Sequence, residues 1–161
     1  MTPPPLPSGP PPAAPARLPI GWLAVALLGG LGCVVLPPLL LPGGPGKPAY
    51  GWPLIPWLEF AFANVRVGPT LACFLGLGLV LGAAQPRWWW LLGPATMGLT
   101  AFLHAVNIAH DWTRDATSHN LFPFEFVFIG LLSFPAFLGA GLGAWLRQRS
   151  EEHTSELQSP Y

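Results

Sequence analysis

Phe122–Leu146 reads FPFEFVFIGLLSFPAFLGAGLGAWL, a run whose one charged residue, Glu125, stands near its start. A helix rises about 1.5 Å per residue, so a stretch of this length crosses roughly 30 Å of hydrocarbon. Three more stretches of the same character precede it: Ile20–Leu41, Gly68–Ala84 and Trp88–Ala109. In a bilayer interior only helices and closed barrels satisfy their backbone polar groups, and runs this long and continuously apolar are helical. The fold class read from the chain is all-α, a polytopic membrane protein with four transmembrane helices in a bundle.

Composition agrees. The chain is 52% hydrophobic and 9% charged, whereas a soluble domain carries about 25% charged residues. Seven basic residues balance seven acidic ones, so no positive field exists to hold nucleic acid. The lipid bilayer is the expected partner. Cys33 and Cys73 both fall inside apolar spans and read as small packing residues, not as a disulfide. The apolar run around Cys33 is too long for a signal-peptide core and continues beyond the cysteine, which argues against a lipoprotein or cleaved leader.

Between the spans the chain changes character. Met1–Pro19 holds nine prolines; without donors and with φ fixed, it reads as a disordered arm rich in polyproline II. Pro37-Pro38 should kink or end span one. The segment 54–66 mixes Trp57, Phe60 and Phe62 with Glu59 and Arg66, the pattern of a short interfacial helix, broken from span two at Gly68-Pro69. One long kinked helix from Leu54 to Ala84 is the alternative. Gln85-Pro86-Arg87 makes a tight hairpin between spans two and three, Trp88-Trp89-Trp90 suits the headgroup level, and Pro94 and Pro135 should bend their spans. Residues 149–161 stand apart: Arg149–Ser159, RSEEHTSELQS, resembles the in-frame translation of a sequencing adapter. That segment is set aside as non-native, with the native terminus lost beyond about Gln148.

Helices in lipid associate through close backbone approach at small residues. Gly78 and Gly82, Gly139 and Gly143, and the ridge Ala101, Ala105 and Ala109 are the packing faces expected, either within the bundle or between copies in an oligomer or larger complex. With four spans both termini share a side. Arg87 and Arg147 at span ends favour the cytoplasm for that side, in a plasma (inner) membrane.

One constellation could carry chemistry. His104–Glu125 reads HAVNIAHDWTRDATSHNLFPFE and contains three of the four histidines. His104, Asn107 and Asp111 share a helix face at i, i+3 and i+7. His104, His110, Asp111 and His119 are candidate metal ligands for zinc, or a setting for haem. Asp111 is a ligand or orienter, Glu125 a general base, and Glu59 a further carboxylate if its helix lies alongside. The spacing matches no HExxH-type motif. The competing assignments are a solvated loop around Asp111, Arg114 and Asp115, a helix cap at Glu125, and an interhelical hydrogen bond at His104 and Asn107. The functional expectation is a non-enzymatic structural or accessory component of a membrane assembly. A metal- or haem-dependent protein, with a hydrolase as one form of it, and an oligomeric proton-linked or small-solute transporter are the alternatives.

Overall fold

A computed structural model describes residues 19–40, 55–114 and 122–158. The proline-rich arm, the loop after span one, His119 and the last three residues lie outside the described set. Within it the chain is all-helical, in the order α1 (Ile20–Leu40), α2 (Pro56–Ala63), α3 (Val67–Ala84), α4 (Trp89–Ala95), α5 (Gly98–Trp112) and α6 (Phe122–Gln158). Four segments are long and apolar enough to cross a membrane: α1, α3, α4 with α5, and α6. Large apolar side chains such as Leu28, Phe102, Leu131 and Phe134 point outward, as a lipid-facing surface requires.

The centre of the bundle is the α3–α6 seam. A Cβ placed on Gly78 would collide with the carbonyl oxygen of Ala136, and one on Gly82 with that of Ala140. Reciprocally, Gly139 lies on the carbonyl of Leu75 and Gly143 on that of Leu79. Both registers rise together along the two helices, so α3 and α6 run parallel. Parallel neighbours need an odd number of crossings between them, and α4 with α5 supplies the one. The register thus gives an independent argument for the number of spans.

Span three is interrupted. Pro94 brings no N–H, and the chain tightens after it: Thr96 N–H bonds Gly93 O at 3.3 Å and Met97 N–H bonds Pro94 O at 3.2 Å. The Thr96 hydroxyl also donates to Gly93 O at 2.7 Å. Regular helix resumes with Ala101 N–H on Met97 O at 2.8 Å. The single helix expected over 88–109 is therefore two, and the second runs on to Trp112. Gly30 of α1 packs on the Thr96 carbonyl, fitting α1 against the break.

Three local expectations change. The break between α2 and α3 falls at Asn64–Arg66, not at Gly68-Pro69. Asn64 Nδ2 donates back to Phe60 O at 2.9 Å, while Pro69 sits in the first turn of α3, where no N–H is needed. That break also excludes one helix from Leu54 to Ala84. Pro37-Pro38 lie within α1, close to its end, where few bonds are left to lose. Trp89 turns inward onto Phe137, ring centroids 5.1 Å apart, while Trp90 stays exposed. Helix α6 also continues past Leu146, stabilised on its exposed side by Arg147 Nε to Glu151 Oε1 at 2.6 Å.

The alanine ridge on α5 is divided between the bundle and the outside. Ala101 packs on the core, but Ala105 and Ala109 are exposed. The buried face carries Thr100, Asn107 and Ile108, and Ala105 lies about 200° round the helix from Asn107. Turning the alanines inward would push Asn107 toward lipid, which costs far more.

Candidate functional site

The C-terminal half of α5 and the first turns of α2 and α6 meet around two polar contacts. His104 Nε2 lies 2.9 Å from Glu125 Oε2, joining α5 to the first turn of α6. Asn107 Nδ2 donates to Glu59 Oε1 of α2 at 2.9 Å and, at 3.4 Å, to Asp111 Oδ2 one turn along. The imidazole of His104 is tilted between two rings, Phe62 at 5.2 Å and Phe126 at 5.7 Å between centroids. Its side chain is 13% exposed and that of Glu125 is 35% exposed.

Local sequence explains each placement. Pro56 opens α2 at a position where its missing N–H is harmless, and Leu58 and Ala61 anchor that helix. Glu59 then projects from the first turn of α2, toward α5. Asn107 is 5% exposed, and both its N–H groups face carboxylates. This fixes the amide orientation, since the reverse flip would set oxygen against oxygen. Its Oδ1 is buried without a hydrogen-bond partner.

The proposed ligand set does not converge. His104 and His110 are six residues apart and point about 120° from one another round the helix. Asp111 shares the face of His104 but stands about 10 Å along the axis. His110 Nδ1 instead approaches its neighbour Asp111 Oδ1 at 3.4 Å. Among the described residues no three His, Cys, Asp or Glu side chains form a group able to hold a metal ion, and His119 lies outside them. A zinc-type donor set is thus not assembled by His104, His110 and Asp111. Glu125 meets His104 instead.

Beside the His104–Glu125 pair is a cavity of about 430 Å³ lined by Phe62, His104, Phe124, Glu125, Phe128 and Ile129. Reading the sequence does not reveal that Phe62 and Phe126 flank His104. The only signal was their register, with Phe62 three residues beyond Glu59 on a helix whose other face had to be anchored. Comparison with known proteins finds no match, whether among family models, curated proteins or solved structures.

Proposed function

We propose that this four-span membrane protein is a non-enzymatic structural or accessory component of a larger membrane assembly. The observation that carries this reading is a division between two sets of small residues. Gly78, Gly82, Gly139 and Gly143 close the protein's own seam. A second set faces outward: Ala72 with Gly76 on α3, and Ala105 with Ala109 on α5, all exposed. Each pair has the small-xxx-small spacing that lets a neighbouring helix approach closely. A fold already held by one set leaves the other for a second copy or another membrane protein. The two polar contacts fit the same reading, since they tie α2, α5 and α6 to one another.

The test is native-gel or mass analysis of the protein extracted gently from its own membrane. The wild-type chain is expected well above the 17.2 kDa of one copy. Gly76→Leu and Ala105→Leu should shed that assembly while the isolated protein melts as before. His104→Ala and Glu125→Ala should each cost about 1 kcal/mol of stability and leave the assembly intact. A wild-type protein that runs as a single copy sinks the proposal.

A second reading, oligomeric proton-linked or small-solute transport, draws on the break in span three, because discontinuous helices place irregular backbone at mid-membrane. Its mark is proton or solute flux in proteoliposomes that Glu125→Gln abolishes. For orientation we propose both termini in the cytoplasm of a cell whose plasma (inner) membrane holds the protein, on the strength of Arg87 and Arg147 at the span ends.

A further inference from the structure

The two ends of the bundle differ in charge. Among the described residues before Arg149, the carboxylates Glu59, Asp111 and Glu125 all stand where α2 and α5 meet the start of α6. The opposite end, where α3 finishes and α4 begins, carries Arg87 and Arg147 and none of those carboxylates. Glu151 and Glu152 lie further along α6, in the segment set aside above as non-native. A guanidinium keeps its charge at any physiological pH, so this end is positive throughout that range.

The fold brings the two arginines to one level. A Cβ on Gly143 of α6 would lie 2.9 Å from the amide nitrogen of Ala83, one residue before α3 ends. A Cβ on Gly141 would lie 3.3 Å from the Trp89 ring, where α4 starts. Arg87 falls between those two contacts, in the turn that Trp88 N–H closes on Gln85 O at 3.0 Å. Arg147 follows Gly143 by four residues. It therefore stands about 6 Å further along α6 and about 40° round it, still on the side turned to α3. Both arginines are exposed. Arg147 Nε holds Glu151 Oε1 at 2.6 Å, but the two side chains are 57% and 61% exposed, and such pairs hold weakly.

A phosphate suits two guanidinium groups, whose forks bind its oxygens in bidentate fashion. The patch lies at a span end, the depth of lipid headgroups. Trp90, three residues after Arg87, is exposed there with an indole suited to that layer. Leu142 and Leu146 of α6 are exposed too, and acyl chains attached to the phosphate would run along them. A zwitterionic headgroup adds an ammonium that the arginines repel, whereas a headgroup of net negative charge does not. Basic groups clustered at span ends attract anionic lipid in this way.

We infer that Arg87 and Arg147 form a site for the phosphate of an anionic phospholipid, seated between the α3–α4 turn and α6. The inference concerns lipid on the single chain and stands apart from the assembly proposed above.

The experiment uses the full chain, reconstituted in vesicles of equal phosphatidylglycerol and phosphatidylethanolamine, extracted gently and weighed by native mass spectrometry. A preference for phosphatidylglycerol of roughly thirtyfold is expected, about fivefold from each arginine. Arg87→Gln and Arg147→Gln should each cut it about fivefold, and the double variant should abolish it. Glu151→Gln should raise it about twofold, because Arg147 is released from its exposed pair. A gain cannot come from misfolding, so this variant decides if the arginine variants fail to fold. Glycerol phosphate, which has the phosphate without the chains, should leave the lipid in place. Displacement by glycerol phosphate, equal retention of both lipids, a preference that survives loss of both arginines, or no gain in Glu151→Gln overturns the inference.

Discussion

Gly82→Leu will prevent the bundle from closing. The first carbon of the new side chain would occupy the position of the Ala140 carbonyl oxygen, and backbone cannot rotate aside as a flexible side chain does. Inserting methylenes into a packed core costs about 1–3 kcal/mol even where side chains adjust. Here α3 and α6 must separate along the seam, so the loss should exceed about 3 kcal/mol, a large share of the 5–15 kcal/mol typical of a folded protein. Gly78→Leu, directed at the Ala136 carbonyl, should behave alike. Gly76 and Gly130 are built-in controls, since a Cβ at either meets nothing within 4 Å. Leucine at those positions should shift stability by no more than about 0.5 kcal/mol. Helicity followed through a denaturing-detergent titration measures all four. Equal loss at Gly76 and Gly82 would show that leucine acts through helix propensity or expression, not through the seam.

Asn107→Asp is expected to be the next most damaging change. The amide donates to two carboxylates, Glu59 and Asp111, and hydrogen bonds to charged groups contribute about 1.5–3 kcal/mol. Aspartate removes the donor and sets a third acid between them, at a position that is 5% exposed. A cost of about 3–5 kcal/mol follows, as when a buried charge loses its partner. Asn107→Leu should cost less, about 2–3 kcal/mol, because it removes the bonds without adding charge. Glu59→Gln introduced into Asn107→Asp should recover part of the loss, and a thermal-melt double-mutant cycle gives the coupling. Strict additivity of the two changes would mean that the Glu59 contact contributes nothing in the bilayer.

The legible part of this protein is the part that lipid dictates. The spans followed from run length, and the packing glycines from the rule that backbones approach through small residues. Two features resisted. Ala101, Ala105 and Ala109 have the same spacing as the working glycines, yet the polar Asn107 decides which face of α5 turns inward, a contest between residues that no spacing rule settles. Gly30 and Gly93 pack backbone against Thr96 and Phe137 but belong to no GxxxG pair, and so gave no signal. At the site, the spacing of His104, Asn107 and Asp111 puts them on one face of α5. Their partners lie 21 and 48 residues away in the chain, and tertiary distance of that order is invisible to local pattern. The metal reading counted ligand types without their angular spread round α5.

Order of synthesis gives the parallel seam a further meaning. The glycine face of α3 is translated before α6, and some forty residues of broken span and loop emerge between them. Until α6 enters the bilayer, Gly78 and Gly82 have only lipid or a bystander helix to rest against. The protein is thus born with its strongest adhesive surface uncovered, and its biogenesis depends on α6 arriving before a wrong neighbour does.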